Sequence, residues 1–445
     1  MTEIFDVVGI GFGPSNLAVA ICLEELCRDS DAALKSIFLE KQDSFNWHRG
    51  MLLDGATLQV SFLKDLVTLR DPTSSFSFVS YLKSKNRLED FINLNTFYPS
   101  RLEYNDYLKW AASRVERQVK YKSLVRKVEL VDSGGNFEYF DVFVSDGTSG
   151  GSAIYRAKNL VIATGLRPKV LPNCAFGPRV SHSSRFLDFR KQFEGRVNQR
   201  FLVVGGGQSA AECANVLYES FKDSSVTVAL GTFGFKPADS SSFVNQIFDT
   251  SNVDYFYNAN DIVKSRLLEQ HKDTNYAVVD ACLIEGIYRN IYADKVANRE
   301  RFKMRRLSRL EKLSDCGESV TATLIDKYNG QKEVEQYDGI VLATGYEPAR
   351  LVELCPLLKG LVRFTEQGEE VLDRNYAVRS DPKLKARLYV QGATENQHGL
   401  TSTLLSALAT RSGEIVQDIL SQQDKCGGNH KLKEFLDIQR VESVR

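Results

Sequence analysis

The chain has 445 residues, 43% of them apolar, with 57 Lys+Arg balanced by 57 Asp+Glu. That length suits two or three domains with sizeable cores, and zero formal net charge speaks against a general nucleic-acid binder, which would be basic. No run of about 18 apolar residues occurs, so no membrane-spanning helix is expected. The eight cysteines form no CxxC pair and no zinc-type cluster, and they read as thiols with no metal site.

The chain opens Met1-Thr-Glu-Ile-Phe-Asp-Val-Val, going straight into a strand pattern without a basic, signal-like segment, so a cytoplasmic location is expected. The strand runs through Gly9-Ile-Gly11-Phe-Gly13-Pro14 into the helical pattern of Ser15-Asn16-Leu-Ala-Val-Ala-Ile-Cys-Leu. This switch across glycines starts a βαβ dinucleotide-binding unit. Gly9 is expected to make the tight turn and Gly11 to admit a pyrophosphate, with Pro14 suited to a first helical turn. A second strand, Ser36-Ile-Phe-Leu, ends in Glu40, the acid expected on the adenosine ribose hydroxyls; a solvated strand-end acid is the plainer alternative. Cys22 and Cys27 have the spacing of flavoprotein disulfide reductases, but five residues along one helix is about 140° of rotation, so ordinary thiols are expected.

Further along, Leu160-Val-Ile-Ala-Thr-Gly and Ile340-Val-Leu-Ala-Thr-Gly are strands that end in the same Ala-Thr-Gly, as expected where backbone passes close to a cofactor. Between them Arg200-Phe-Leu-Val-Val-Gly205-Gly206-Gly207-Gln208-Ser209 runs into Ala210-Ala-Glu-Cys, a second fingerprint with Ala in third place. Gly207-Gln-Ser209-Ala also resembles half of a hydrolase nucleophile elbow, but Ala211 stands where glycine is needed. Gly/Ser-rich patches at 132–152 and 231–242 read as loops. Two nucleotide sites in one chain imply electrons passing from a nicotinamide to a flavin.

The expected fold is therefore α/β, with two Rossmann-like dinucleotide-binding domains and a small, mainly helical substrate region. A split FAD domain would occupy 1–190 and 341–420. An inserted NAD(P)H domain would fill 195–340, carrying the substrate region near 237–300, and 421–445 would be a peripheral tail. The expected boundaries are the Pro/Gly-rich stretch at 168–179 and the segment just before Tyr346.

The blocks Gly9-Ile-Gly-Phe-Gly-Pro-Ser-Asn-Leu, Trp47-His48, Leu58-Gln-Val-Ser-Phe-Leu-Lys-Asp-Leu-Val, Asp71-Pro-Thr-Ser, Phe91-Ile-Asn-Leu, Arg101-x-Glu-Tyr-x-x-Tyr107-Leu, Gly206-Gly-Gln-Ser, Lys236-Pro-Ala-Asp, Asn275-Tyr, Ala343-Thr-Gly-Tyr and His398-Gly-Leu carry a family likeness. With them the chain resembles the ornithine/lysine N-monooxygenases of siderophore biosynthesis from residue 5 to about 420. The Ser61–Val67 and Lys236–Phe248 blocks look like the ornithine branch.

The resemblance implies FAD held by Gly9, Gly11, Gly13, Pro14, Ser15 and Asn16, by Glu40, Lys41, Trp47 and His48, with Gln59 near the flavin ring and Thr403, Leu404 and Leu405 closing the far side. It implies NADPH along Gly206, Gly207, Gln208 and Ser209, with its nicotinamide end near Asn245. It places the α-carboxylate of ornithine on Lys64, aided by Asn275, and the side-chain amine at Asn245 and Ser406, beside Phe248. The implied chemistry is N5-hydroxylation of L-ornithine by molecular oxygen through a C4a-hydroperoxyflavin, in a homo-oligomer, a tetramer by resemblance, that binds neither nucleic acid nor membrane. No single side chain stands out as a base, so positioning is the expected mode of catalysis.

The residues have their own logic. A carboxylate substrate wants a charge-assisted partner, and Lys64 interrupts an apolar run; a snorkelling surface lysine is the alternative. Asn245 offers both a donor and an acceptor, as would a loop-capping Asn. His398 before Gly399 reads equally as a flavin-side or a turn residue, and His48 beside Trp47 as packing or chemistry. Two departures stand out. Gly231 replaces the arginine expected on the 2′-phosphate of NADPH, leaving NADH open, with Lys222, Lys236 or a basic residue from elsewhere as substitutes. Thr401-Ser402 stands where a Ser-Asp pair is usual. Lysine and putrescine remain rival substrates, and a flavin disulfide reductase or a non-catalytic redox sensor the rival functions.

Overall fold

The computed structural model describes residues 3–28, 34–147, 150–239, 241–274 and 277–424. The first glycine turn joins strand β1 (Ile4–Ile10) to helix α1 (Pro14–Arg28), and β2 (Ser36–Leu39) lies parallel to β1. On the other side of β1 runs the long strand Ser152–Ile162. Its first half pairs antiparallel with Asn136–Asp146, and its second half pairs parallel with Arg387–Val390. One strand thus serves a nucleotide sheet at its carboxyl end and a β-meander at its start. The patch at 132–152, expected as loop, contains the strand Asn136–Asp146; its alternation Phe140, Val142, Val144 buries one face, which the flanking Gly and Ser residues mask in sequence.

The second sheet is wholly parallel, in the order Phe302–Arg305, Ser225–Ala229, Arg200–Val204, Gly339–Leu342, Val180–His182. Parallel strands buried on both faces read as continuous apolar runs, as Phe201-Leu-Val-Val204 does. Val180–His182 and the helix Phe186–Lys191, which the expected 1–190 segment assigns to the first unit, belong to this sheet and its core. The chain passes between units along Leu166–Pro168 and Tyr346–Pro348, which pair antiparallel. A three-stranded antiparallel sheet, Ser308–Asp315, Val320–Asp326 and Lys332–Tyr337, packs beside the second unit.

Helices Ser242–Asn245, Asn252–Asn258, Asp261–Gln270 and Ala281–Val296 fill most of the 237–300 region. This helical region leans on the first unit: Asn252–Asn258 packs against the short helix Glu395–His398, and Tyr257 Oη donates to Leu372 O at 3.0 Å. The helix Leu408–Asp424 packs on α1. Residues 425–445, most of the expected tail, lie outside the described residues.

Two buried groups lock this arrangement. Arg101, on the helix Arg101–Arg114 of the first unit, makes a bidentate pair with Glu212 of the second fingerprint helix, at 2.8 and 2.6 Å. His398 is fully buried, stacked on Tyr376 with ring centroids 4.2 Å apart. Its Nε2 lies 3.2 Å from both Asp373 O and Arg374 O, so that nitrogen donates, and Nδ1 has no partner among the described residues. Burial, with the Arg374 charge nearby, pushes its pKa from 6.5 down to about 3. His398 is thus a packing residue that ties the 395–403 segment to the 372–376 turn.

Removing one partner of a buried ion pair strands the other charge. Arg101→Ala should therefore lower stability by about 3–5 kcal/mol, read as a shift of the denaturation midpoint, and Arg101→Met with Glu212→Leu should regain most of it. For His398 the unfolded chain binds a proton near pH 6.5 while the folded ring stays neutral down to about pH 3. Stability should fall as the pH drops through that window, by at most about 1.4 kcal/mol per pH unit. His398→Gln should flatten that slope relative to the parent protein in melting experiments between pH 7 and 5.

Candidate active site between two nucleotide units

The strand registers align the two fingerprints. Ile10 pairs with Leu39 as Val204 pairs with Ala229, and Gly11 N–H donates to Leu39 O as Gly205 N–H does to Ala229 O, each at 2.9 Å. The working motif of the first unit is therefore Gly11-x-Gly13-x-x-Asn16, matching Gly205-x-Gly207-x-x-Ala210. Gly9 lies inside β1 rather than at the turn; a Cβ there would meet the Phe38 ring at 2.1 Å, so it is glycine for packing. The turn belongs to Gly11, with φ +83°, whose Cβ would come within 2.5 Å of Ala163 O. Gly13 has nothing within 4 Å of its would-be Cβ, leaving backbone open at the start of α1.

Asn16 stands in the third position, completely buried. Its Nδ2 donates to Gly11 O at 2.7 Å and Val161 O at 3.2 Å, clamping the loop to the neighbouring strand. Gln391 Nε2 donates to Asn16 Oδ1 at 3.0 Å, and Arg411 Nε donates to Gln391 Oε1 at 3.2 Å. Arg411, almost wholly buried on the last helix, also donates to Ser15 Oγ at 3.3 Å and to Ser402 O. Sequence reasoning missed this chain of polar contacts, because Gln391 and Arg411 lie nearly 400 residues from the glycine turn and carry no motif of their own.

These residues border a cleft of about 530 Å³ lined by Gly13, Pro14, Ser15, Thr164, Gly165, Gly392, Thr394, Thr403 and Arg411. Just beyond β2, the Glu40 carboxylate accepts from Phe12 N–H at 2.7 Å and Gln42 N–H at 2.9 Å and is buried. The donor set fits FAD. A buried guanidinium with no carboxylate partner among the described residues meets the need of a pyrophosphate, and Thr394 Oγ1, Ser402 Oγ and Ser406 Oγ are buried hydroxyls without partners there. Thr403 Oγ1 donates to Glu395 Oε1 at 2.6 Å, with Leu404 and Leu405 half-buried after it. Thr401 and Ser402, the unusual pair, are both buried; Ser402 serves through its carbonyl on Arg411.

Trp47 and His48 meet edge to face at 4.6 Å, and Trp47 N–H donates to Asn105 Oδ1 at 3.0 Å. His48 adopts the left-handed conformation, φ 50°. Its ring is exposed to solvent yet hemmed in by protein; desolvation and the Arg101 charge push its pKa down to about 4, so it is neutral near pH 7. Lys41 is exposed.

The second fingerprint faces the first unit through one carboxylate. Gln59 Nε2 donates to Asp280 Oδ1 at 2.9 Å, and Gln208 Nε2 to Asp280 Oδ2 at 3.0 Å and Glu212 Oε1 at 2.8 Å. Gln59 and Gln208, expected at the flavin and at the nicotinamide nucleotide, are thereby brought together. Gly206, Gly207 and Ser209 lie half-buried at the mouth of the loop, and Gly207 approaches Ala277.

Of the expected substrate residues, Lys64 is half-buried on a turn, its N–H donating to Ser61 O at 2.9 Å, and no carboxylate pairs with it among the described residues. Its neighbour Asp65 explains the turn. That buried carboxylate accepts from Val67, Thr68 and Phe78 N–H at 2.7–2.9 Å, and burial nevertheless raises its pKa. Asn245 ends a short helix on the exposed side, and the following turn Gln246–Phe248 packs against Leu400–Thr403. Phe248 is thus beside the segment that leads to Ser406. Asn275 lies outside the described residues. Cys22 is a buried thiol on α1, and the Cys27 side chain also lies outside them.

Residues 3–348 match the family described as L-lysine 6-monooxygenase/L-ornithine 5-monooxygenase. The chain is 38% identical to an L-ornithine N(5)-monooxygenase of Pseudomonas aeruginosa over 417 residues, covering 93% of each. Among solved structures it is similar to an ornithine N-hydroxylase of Kutzneria sp. 744, with reduced FAD, NADP+ and L-ornithine (39% identity, 95% of this chain and 100% of that one, TM-score 0.91). The L-lysine 6-monooxygenase of Pseudomonas syringae follows at 30% identity and a TM-score of 0.83, covering 94% and 99%. With two glycine-turn units built into one polypeptide and a family match across both, the chain belongs to the L-lysine 6-monooxygenase/L-ornithine 5-monooxygenase family.

Proposed function

We propose that this protein is an FAD- and NADPH-dependent monooxygenase that converts L-ornithine to N5-hydroxyornithine, the kind of hydroxylamine from which hydroxamate siderophores are built. Amine, O2, NADPH and a proton give hydroxylamine, water and NADP+. The observation that carries this reading is the joining of two nucleotide units through Gln59–Asp280–Gln208, in a chain whose similar relatives include ornithine enzymes. Bound FAD supplies the activation of oxygen, once reduced by the nicotinamide.

The chain's own residues place the reactants. Gly11, Gly13, Pro14, Ser15, Asn16 and Glu40 hold the flavin nucleotide, Arg411 meets its phosphates, and Trp47, His48 and Thr403 to Leu405 flank it. Gly206 to Ser209 hold the second nucleotide. Lys64 binds the amino-acid carboxylate with Asn275, while Asn245, Phe248 and Ser406 receive the amine end. The substrate ammonium, with a pKa near 10.4 in water, must shed a proton to attack. Ser406 Oγ, buried without a partner among the described residues, can accept from the amine and hold it with its lone pair directed away. Neither His398 nor His48 is read as the base: His398 is locked by backbone carbonyls, and desolvation with the Arg101 charge pushes the pKa of His48 down to about 4.

The protein is read as a cytoplasmic homo-oligomer. No described helix is long and apolar enough to cross a membrane, and Ile92, Leu94, Phe97 and Tyr98 form an exposed apolar stretch that a second copy can cover. Sedimentation should show a tetramer.

A panel of ornithine, lysine and putrescine, assayed for hydroxylamine, tests the substrate, and ornithine should dominate. Lys64→Ala should raise the KM for ornithine by about 10–100-fold, the loss expected for one charge-assisted hydrogen bond, while leaving any putrescine turnover unchanged. Equal loss on both amines would remove Lys64 from the carboxylate.

A further inference from the structure

Each nucleotide unit reads its ribose beyond the end of its second strand, and the two ends differ in charge. The shared register puts Glu40 level with Leu230, and Lys41 level with Gly231. In the first unit the buried Glu40 carboxylate presents acceptors to ribose hydroxyls and would repel a phosphate placed on one of them. In the second unit Leu230-Gly231-Thr232 carries no acid.

A cation stands there instead, delivered from another sheet. Lys327 Nζ donates to Gly231 O at 3.1 Å. Lys327 follows the strand Val320–Asp326, and its own N–H donates to Leu307 O at 2.7 Å while Leu307 N–H donates to Thr232 O at 3.0 Å. The antiparallel sheet is thus sewn to the strand end of the nucleotide unit. A Cβ at position 231 would lie 2.7 Å from Lys327 Nζ, so the bare glycine leaves the room that the ammonium occupies. Two of the three ammonium donors remain for a ligand, and no carboxylate pairs with Lys327 among the described residues. Arg306 adds positive charge alongside, its guanidinium 4.5 Å from the Phe233 ring. Lys222 does not serve: it precedes the strand Ser225–Ala229, at the edge of the sheet opposite the glycine loop.

We propose that Lys327 is the specificity-determining residue for the 2′-phosphate of NADPH, a cation supplied in place of one at position 231. The proposal rests on reading the second unit as the nicotinamide nucleotide site. It is tested by measuring the dissociation constants of NADP+ and NAD+ on FAD-loaded protein by calorimetry. The parent protein should favour NADP+, and Lys327→Ala should weaken NADP+ by about 10–100-fold while leaving NAD+ unchanged. Unchanged NAD+ binding also shows that the variant is folded. Lys327→Arg should retain the preference, Lys222→Ala should not disturb it, and added salt should erode NADP+ binding in the parent more than in Lys327→Ala. If Lys327→Ala keeps the parent's preference, the proposal fails while the nucleotide site stands. If the parent binds neither nucleotide, the reading of the second unit falls and the proposal with it.

Discussion

In both units an alanine carbonyl at the end of a strand comes to where a fingerprint glycine would carry its Cβ, 2.5 Å for Ala163 against Gly11 and 2.4 Å for Ala343 against Gly205. No side chain fits in that gap, so the two glycines are steric requirements of the fold before they are ligand residues. The contact brings the glycine turn against the neighbouring strand end, and the helix that follows then starts with its N–H groups facing the cleft. The two Ala-Thr-Gly strand ends are the other half of the same packing. Their repetition some 180 residues apart reflects one solution used twice, and the linkers Leu166–Pro168 and Tyr346–Pro348 that follow them pair antiparallel.

Holding the two units in register falls to polar contacts as well as to apolar ones. Met51 and Leu53 of the first unit are buried in the apolar core of the second, and Arg101–Glu212 together with Gln59–Asp280–Gln208 add polar bridges. Directional groups suit that task, because hydride transfer needs its reacting atoms about 3–3.5 Å apart and aligned, whereas apolar contact alone tolerates sliding. The helical region adds a third support through Tyr257 and Phe256 against the 372–399 segment, the place where His398 and Tyr376 stack.

Much of this was legible in the sequence because it depends on local pattern. A strand, a glycine turn and a helix declare themselves within 20 residues, and so did both nucleotide units, the Ala-Thr-Gly ends and the acid at Glu40. Gly9 misled because the spacing Gly9-x-Gly11-x-Gly13 fits two registers, and only the Phe38 ring on the adjacent strand decides between them. The strand Asn136–Asp146 was hidden among turn-forming residues. His398 had two equal readings in sequence, and its stacking on Tyr376, 22 residues away, resolves them. Asn16, Gln391 and Arg411 form one buried network from opposite ends of the chain, and Lys327 meets Gly231 across 96 residues. Nothing in spacing foretells such meetings.

The duplication also explains how one chain keeps two similar nucleotides apart. Both cofactors carry an adenosine diphosphate, so the glycine turns alone cannot tell them apart; discrimination lies where the ligands differ, at the reactive ring and at the adenosine ribose, which carries a 2′-phosphate in NADPH. A buried carboxylate at one strand end would accept ribose hydroxyls and repel a phosphate, while the ammonium over Gly231 at the other would attract one. With opposite charges at equivalent strand ends, the first unit would discriminate by repelling a phosphate and the second by attracting one. That matters for turnover: the nicotinamide nucleotide has to be exchanged in each cycle while the flavin stays, and one exposed ammonium, screened by water and salt, selects the exchanged ligand without holding it fast.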